Sequence, residues 1–345
     1  MDKHLISQDK TLLDALVQIN KLVPPEPLVL FVVDEEKRMV GTITDGDSRR
    51  ALIAGASVND MASKIMLRNY RYIWADDITN VIEIRRQKEM KMKLVPILDK
   101  EHHIVDIINL EKFKTRLPVD AVLMAGGKGE RLRPLTEKTP KPLLPVGDKA
   151  IIDHNVDRLI NYGVQHISVT VNYLKEQIEE HYREPHQGIQ VQIVREPKFL
   201  GTIGSIKFVP KFFNDTVLLM NSDVFTNIDY EDFYLHFQQH DAEMSVAAIP
   251  YNVSIPYGIL DLEGRNIQGL IEKPKYTYYA NAGIYLIKCS ALDEIPDDTF
   301  FNATDFVEKL IAEGRKVIRY PLNGTWIDIG NPQEYQKAQD LVKHL

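Results

Sequence analysis

A glycine-rich segment, Leu123 to Arg133, is the part of the chain whose residue types best suit a polyphosphate ligand. Gly126, Gly127 and Gly129 leave backbone N–H groups uncovered, so phosphate oxygens can approach them closely. Arg131 adds a cation that can pair with two phosphate oxygens at once. An ordinary surface turn has a similar composition, so the glycine-rich loop alone does not distinguish a phosphate site from a plain turn.

A lysine between two prolines follows ten positions after Arg131, in the sequence Thr139-Pro140-Lys141-Pro142. Each proline fixes its own φ angle and restricts the residue before it. A cation on such a rigid stretch suits a phosphate and is an unusual choice for a mobile surface position. The loop and the lysine together predict a binding site for a polyanion.

The two motifs, GGxGxRLxPLT and PKPLLPV, resemble those of the sugar-nucleotide pyrophosphorylases, such as the glucose-1-phosphate thymidylyltransferases and mannose-1-phosphate guanylyltransferases. The resemblance extends over residues 119–345. It implies an enzyme that joins a nucleoside triphosphate to a sugar 1-phosphate and releases pyrophosphate. Glu130 stands where the family usually has Thr or Ser, and we expect its carboxylate to point away from the triphosphate.

The remaining motifs of this family follow in the family's order, and the resemblance implies a role for each. Nucleotide-binding roles fall on Leu123, Ala125, Gly126, Gly127, Gly129, Arg131, Gly201, Thr202 and Asp223. Sugar-binding roles fall on Tyr257, Gly258, Glu272, Asn281 and Gly283. Metal-binding roles fall on Asp223 and Asp328. Catalytic roles fall on Arg131, Lys141, Asp223 and Lys273.

The implied reaction needs charge neutralisation and positioning more than covalent help, because two polyanions must approach each other. Mg²⁺ is the expected cofactor, held by Asp223 and Asp328. Arg131 would hold the leaving pyrophosphate, while Lys141 and Lys273 would screen the reacting phosphates. The attacking phosphate is already ionised near neutral pH, so we assign no general base and no catalytic histidine.

Elements that would position these residues can be recognised after Val119. Short apolar runs at 121–124, 167–171, 191–194, 217–220 and 244–249 alternate with helical patterns at 152–162 and 174–182. This alternation predicts an α/β, Rossmann-like domain with a mixed, mainly parallel sheet. Ligands of such sheets bind at the carboxyl ends of the strands, where the glycine-rich loop and Asp223 fall.

Residues 1–115 contain an internal repeat, with copies at about 1–60 and 61–115. A strand, charged turn, strand pattern at 33–40 recurs 65 positions later at 98–105. A helical pattern precedes each copy. In the first copy it begins at Leu12 with Thr11 or Asp9 as cap, and in the second it begins at Ile78. The repeat predicts two copies of one small α+β unit.

The segment Val40 to Asp47 resembles the end of a CBS (cystathionine β-synthase) motif, which makes residues 1–115 similar to a tandem CBS pair. The resemblance implies that Thr44 and Asp47 contact the ribose of an adenine nucleotide. Asn109 and Lys112 occupy the equivalent positions of the second copy, so at most one such site survives. The alternative is a purely structural module that mediates dimerisation or positions the enzyme domain.

The combination of a CBS pair and this enzyme domain resembles guanylyltransferases of bacterial surface-glycan synthesis of the legionaminic acid type. This favours GTP, with UTP, dTTP and CTP as alternatives. No hexapeptide-repeat tail follows, so we expect no added acetyltransferase activity. CBS pairs commonly associate, which makes a homodimer the expected assembly. The rivals are a nucleotide-sensing regulatory protein with a degenerate transferase domain and a cytidylyltransferase that acts on an alcohol phosphate.

Composition narrows the class of protein further. The net charge of −7 argues against nucleic acid as a partner, which would call for a basic face. The single cysteine, Cys289, excludes an internal disulfide, and we expect it to be a small buried residue. No apolar run approaches the roughly 18 residues that a membrane span requires, and the N-terminus does not have the pattern of a signal peptide. These features predict a cytoplasmic protein.

Overall fold

The N-terminal repeat folds as two copies of one strand and hairpin arrangement. In the computed structural model, which describes residues 2–23, 26–77 and 80–343, these copies lie in a unit that comprises Met1–Leu117. The elements of this unit are β1 (Leu5–Ser7), α1 (Leu12–Asn20), β2 (Val29–Val33), β3 (Met39–Thr44), α2 (Asp45–Ile53), α3 (Ala62–Ile65), β4 (Ile73–Trp74), α4 (Val81–Glu89), β5 (Leu94–Leu98) and β6 (Ile104–Asn109).

Strand pairing in the two copies is the same. β1 pairs parallel with β2, which pairs antiparallel with β3, and β4, β5 and β6 repeat this arrangement. Each hairpin carries a register shift near its turn, at Val32/Val33 in the first and at Ile97/Leu98 in the second. Phe31 and Leu94 belong to one hydrophobic cluster to which both hairpins contribute. The two halves of this unit therefore share one strand arrangement.

Helix starts in this unit follow the local hydrogen-bonding chemistry. Thr11 is the N-cap of α1, where it forms a capping box with Asp14. Asn80 caps α4 by accepting a hydrogen bond from the backbone N–H of Glu83 at 3.1 Å. The predicted start of the second helix, Ile78, lies outside the described residues.

The second unit, Pro118–Leu345, is built on a seven-stranded sheet. Its elements are β7 (Asp120–Met124), β8 (Pro145–Val146), β9 (Lys149–Ala150), α5 (Ile151–Asn161), β10 (His166–Val171), α6 (Lys175–His181), β11 (Gln192–Arg195), β12 (Thr216–Asn221), β13 (Val224–Thr226), α7 (Tyr230–Gln239), β14 (Met244–Ser254), β15 (Ile259–Glu263), β16 (Asn266–Ile271), β17 (Lys275–Lys288), α8 (Ala303–Ala312), β18 (Val317–Pro321), β19 (Trp326–Asp328) and α9 (Pro332–Val342).

The sheet has the strand order β11-β10-β7-β12-β17-β14-β18. β17 runs antiparallel to both of its neighbours, and the other adjacent pairs are parallel. The predicted mixed, mainly parallel α/β sheet is confirmed. The core on one side includes Val122, Leu219 and Tyr285 from the sheet and Phe306 from α8. None of the helices in the described parts of the chain has the length and apolarity that crossing a membrane requires.

The sequence pattern did not predict the long antiparallel pair β14 and β17. Beyond the sheet, these strands continue to the pair Ser254 and Lys275, and the hairpin of β15 and β16 connects them. We call residues 250–279 the arm. Its side chains are mostly exposed, so the alternation of buried and exposed positions that normally marks a strand is missing there.

Candidate active site

The carboxyl ends of four parallel strands lie at one cavity of about 630 Å³. The lining residues that lie at or just after these ends are Met124–Arg131 from β7, Asn172 from β10, Glu196 from β11 and Asn221–Asp223 from β12. Lys141, Pro142, Phe199, Gly201, Thr202 and Gly330 complete the lining. The cavity therefore lies at the sheet edge where ligands of parallel α/β folds bind.

The three glycines of the loop satisfy three different requirements. At Gly126 a Cβ atom would lie 2.5 Å from Glu196 Oε1, so a side chain would displace that carboxylate. Gly129 has a φ of 61°, and a Cβ there would lie 3.0 Å from the Cβ of Lys141. A Cβ at Gly127 would meet no atom within 4 Å. Gly127 is thus the position where the loop leaves open space for a ligand.

The predicted residues beside this loop take two kinds of position. Ala125 lines the cavity, and its backbone N–H donates to the Thr170 carbonyl at 2.9 Å. Leu123 is completely buried inside β7, one residue before the cavity-lining Met124. Leu123 therefore supports the loop through the core. Glu130 is among the lining residues, and its Oε1 lies 3.7 Å from Arg133 Nη2.

Arg131, Lys141 and Asp223 line one part of the cavity, and Asp328 lies close enough to interact electrostatically with all three. Lys141, which is 8% exposed, donates a hydrogen bond from Nζ to Asp223 Oδ2. Burial and the nearby Asp223 charge raise the pKa of Asp328, while Lys141 and Arg131 act in the opposite direction. Arg131 also lies close to Gly330, where a Cβ would be 3.0 Å from its Nη2. The structure thus brings these sequence-predicted residues together.

Asp223 is held by its neighbours along the chain. Ser222 donates from Oγ to the Met124 carbonyl at 2.7 Å, which ties the end of β12 to the end of β7. The buried amide of Asn155 donates to the carbonyls of Ser222 at 3.2 Å and Val224 at 2.8 Å. Because Val224 pairs with Asp328 between β13 and β19, the same contacts fix the two carboxylates relative to each other.

Glu196 is a site residue that the sequence analysis missed. It is 3% exposed and lines the cavity directly after β11. Burial raises the pKa of its carboxyl, and contacts with the Leu200 backbone and with Ser205 and Thr170 only partly offset this. Its Oε2 is buried without a hydrogen-bond partner of ordinary geometry. A buried acceptor in this condition costs free energy unless a ligand supplies a donor.

Gly201 and Thr202, to which the resemblance gives nucleotide-binding roles, line the cavity. Gly201 has a φ of 79°, and a Cβ there would lie 2.5 Å from the carbonyl oxygen of Phe301. The Thr202 hydroxyl accepts a hydrogen bond from the backbone N–H of Ala303 at 2.8 Å, at the start of α8. Thr202 therefore anchors the segment to α8, and its hydroxyl hydrogen remains able to donate.

The predicted sugar-binding residues, together with the predicted catalytic residue Lys273, form two groups. Tyr257, Gly258, Glu272 and Lys273 lie together on the arm, since a Cβ at Gly258 would be 3.0 Å from Glu272 Oε2. These four are exposed, Tyr257 by 74%, and they are absent from the cavity lining formed by the described residues. The structure therefore does not bring Lys273 to the cavity that Arg131, Lys141 and Asp223 line.

The second group adjoins the cavity. Asn281 accepts a hydrogen bond from the backbone N–H of Gly283 at 2.9 Å. Gly283 has a φ of 70°, and a Cβ there would lie 2.6 Å from Nδ2 of Asn221, which lines the cavity. Asn281 and Gly283 thus lie on β17 beside the cavity, just after this strand leaves the arm.

Thr44 and Asp47 of the N-terminal unit bond to each other. Thr44 is the N-cap of α2, and both its backbone N–H and its hydroxyl donate to Asp47 Oδ2, at 2.9 and 2.6 Å. Arg50 donates to the other oxygen of Asp47 at 2.6 Å. The pair therefore forms a complete capping box. Asn109 and Lys112 of the second copy precede no helix.

Comparison with known proteins assigns the second unit to a family. Residues 120–344 match the family described as nucleotidyl transferase, and the chain belongs to this family. That assignment agrees with a cavity that combines a glycine-rich loop with cationic and carboxylate side chains at the edge of a mainly parallel sheet.

Particular relatives carry more specific names. The chain is 30% identical over 227 residues to mannose-1-phosphate guanylyltransferase catalytic subunit beta of Danio rerio, covering 62% of each protein. It is 31% identical over 232 residues to the bifunctional protein GlmU of Methanococcus maripaludis, covering 64% of this chain and 54% of that protein. The chain thus spans about three fifths or less of the length of these relatives.

A solved structure with the same fold is that of HddC from Yersinia pseudotuberculosis. It is 25% identical, has a TM-score of 0.53, and the alignment covers 65% of this chain and 99% of that protein.

Proposed function

We propose that the chain transfers a nucleotidyl group from a nucleoside triphosphate, preferably GTP, to a sugar 1-phosphate, which yields an NDP-sugar and pyrophosphate. One observation carries this proposal: Arg131, Lys141, Asp223 and Asp328 meet beside an open glycine at the sheet edge where such ligands bind. Relatives named as guanylyltransferases support the same reaction class.

The proposed reaction forms a bond between an oxygen of the sugar phosphate and the α-phosphorus, and breaks the bond between the α-phosphorus and the oxygen of the leaving pyrophosphate. The attacking oxygen is already ionised, so no residue needs to remove a proton. Lys141 and Arg131 neutralise charge at the phosphate end, where the low exposure of Lys141 strengthens its effect. Lys273 would screen the sugar phosphate once the arm brings it near.

Asp223 and Asp328 fit a divalent cation of the Mg²⁺ type. They are two hard oxygen donors held by adjacent strands, and their mutual repulsion contributes to the raised pKa of Asp328. Asp223 and Asp328 would hold this cation, which would supply Lewis-acid stabilisation of the negative charge on the reacting phosphates. Lys141 donates to one of the carboxylates and so limits the excess negative charge of the pair.

Glu196 favours guanine among the possible bases. A carboxylate can accept two hydrogen bonds side by side, and guanine presents its N1–H and N2–H donors in that arrangement. Uracil and thymine present one N–H between two carbonyl oxygens, which a carboxylate would repel. Cytosine presents an acceptor beside its amino group. The unpartnered Oε2 of Glu196 therefore supports GTP over UTP, dTTP and CTP.

A panel of the four triphosphates against several sugar 1-phosphates, with pyrophosphate release as the measurement, tests the proposal. We expect turnover with GTP and one or more sugar 1-phosphates. Absence of pyrophosphate release in every combination would instead support a nucleotide-sensing protein with a degenerate transferase domain. Turnover with an alcohol phosphate and CTP alone would support the cytidylyltransferase alternative.

We further propose that residues 1–115, within the N-terminal unit, form a tandem pair of the CBS type with one adenine-nucleotide site. The repeated strand pairing favours the pair, and the retention of Thr44 and Asp47 in the first copy alone favours a single site. A ribose diol would have to replace the hydrogen bonds between these two residues. Calorimetric titration of the full chain with AMP, ADP and ATP tests this, with Asp47→Asn as the comparison.

Biological placement follows from these proposals. Synthesis of a nucleotide sugar by a guanylyltransferase with a CBS pair fits bacterial surface-glycan pathways of the legionaminic acid type. The triphosphate substrate fits a cytoplasmic location. A homodimer formed through the N-terminal unit is the assembly that we propose, and the mass of the full chain in solution tests it.

A further inference from the structure

Phe199 is an exposed aromatic residue in the lining of the cavity. It lines the cavity three residues after Glu196, yet its side chain is 51% exposed. Phe300, which is 55% exposed, lies next to it with ring centroids 5.8 Å apart and an angle of 59° between the ring planes. Two neighbouring phenyl rings that remain exposed to water are unfavourable unless a flat apolar surface covers them.

Hydrogen bonds and an ion pair connect the two segments that carry Phe199 and Phe300. Phe301 donates from its N–H to the Leu200 carbonyl at 3.0 Å, and the Phe301 carbonyl accepts from the N–H groups of Ile203 and Gly204, both at 3.2 Å. Lys198 and Asp298 form an ion pair at 3.0 Å between the same two segments. The segments 198–204 and 298–303 thus form one assembly that presents both phenyl rings beside the cavity.

We propose that Phe199, supported by Phe300, stacks on the face of the nucleobase while Glu196 binds its edge. This inference rests on the proposed function and names the residue that covers the base. A purine presents a larger face than a pyrimidine, so the stack adds to the preference for guanine. Phe199 would touch the substrate, whereas Phe300 would act as a positioning residue through Phe199.

Direct binding to the full chain tests the stack independently of turnover. Calorimetry with GTP, with UTP and with inorganic tripolyphosphate, which has no base, compares wild type with Phe199→Ala. We expect the Kd for GTP to rise about five- to hundredfold, since a base–aromatic stack contributes about 1–3 kcal/mol. The Kd for UTP should rise less, and that for tripolyphosphate should stay within about twofold of wild type.

Matched variants separate stacking from general damage. Phe213 is 57% exposed, stacks on His166 and does not line this cavity, so Phe213→Ala should leave the Kd for GTP unchanged. Phe300→Ala should weaken GTP binding in the wild type but add little in the Phe199→Ala background, because its effect passes through Phe199. Phe199→Trp should keep GTP affinity, and its added fluorescence should be quenched by GTP and not by tripolyphosphate.

Two results would overturn the stack. One is a Kd for GTP that Phe199→Ala leaves unchanged, and the other is an equal loss for GTP and tripolyphosphate. If Phe199→Ala does not fold, absence of GTP-dependent quenching in Phe199→Trp decides against the proposal. If wild type binds GTP through Phe199 but turns over no sugar 1-phosphate, the stack stands and the proposed reaction fails.

Discussion

Replacement of Glu196 by glutamine should change which base the enzyme accepts. The carboxylate is almost completely buried, and its Oε2 lacks a hydrogen-bond partner of ordinary geometry. Glutamine keeps the shape but offers one acceptor and one amino donor, so that donor would face a donor of guanine. A mispaired buried group of this kind costs about 1–3 kcal/mol. We therefore expect kcat/KM for GTP to fall about tenfold to hundredfold.

The same variant should treat UTP differently. The amide of glutamine can accept from the N–H of uracil and donate to the neighbouring carbonyl, so kcat/KM for UTP should hold or rise. The assay is pyrophosphate release at low triphosphate concentration with each base in turn. Glu179→Gln is the matched control, because Glu179 pairs with Arg195 on the surface and does not line the cavity. An unchanged ratio of GTP to UTP in Glu196→Gln would refute the reasoning.

Thermal stability provides a second measurement on Glu196→Gln. The substitution should lower kcat/KM for GTP, but it should not lower the stability of the fold at pH 7. A carboxyl whose pKa is raised in the fold binds its proton more tightly there than in the unfolded chain. The wild type therefore loses stability as pH rises above the ordinary pKa of this group. Glutamine carries no charge, so the variant should be at least as stable as wild type at pH 7. A marked loss of thermal stability would show that the kinetic change reflects damage to the fold.

Three other perturbations have expected outcomes. Lys141→Ala and Asp223→Asn should each lower kcat for nucleotidyl transfer by about a hundredfold or more at unchanged circular dichroism, and near-normal turnover in both would sink the assignment. Burial and Asp223 raise the pKa of Asp328, so activity at limiting Mg²⁺ should fall as pH drops towards that raised pKa. Added Mg²⁺ should move this loss of activity to lower pH. A loss of activity at low pH that does not depend on the Mg²⁺ concentration would contradict this. Thr44→Ala should speed hydrogen exchange in α2 about five- to thirtyfold, since loss of a cap costs about 1–2 kcal/mol, whereas unchanged protection would contradict a capping role.

The sheet was predictable because buried parallel strands have a strong signature. The run after Val119 and the run before Asn221 are continuous apolar stretches, and both become central strands. The arm was not predictable in the same way. Tyr251 and Tyr278 face each other across an exposed pair of strands, where no buried face imposes the alternation that a sequence pattern detects.

The two carboxylate residues Asp223 and Glu196 also differ in how readily the sequence reveals them. Asp223 and Glu196 each follow a strand of the sheet, and the rule about carboxyl ends applies to both. The family motif drew attention to Asp223, while Glu196 had only its position to mark it. Burial of Glu196 and the missing partner of its Oε2 depend on how Thr170, Ser205 and the glycine-rich loop pack, which sequence patterns do not report.

Packing at Gly126 changes the interpretation of the glycine-rich loop. The glycines of this loop were predicted to leave backbone N–H groups accessible to phosphate oxygens. Gly127 fits that prediction because the space beside it is open. Gly126 has another requirement, since any side chain there would collide with the Glu196 carboxylate. Under the proposed function, the loop that follows β7 would therefore contact both ends of a nucleotide. Gly127 and Arg131 would face the phosphates, while Gly126 leaves room for Glu196, the residue proposed to select the base. A substitution at Gly126 should thus alter base preference before it alters phosphate binding, because the first atom that it meets belongs to Glu196.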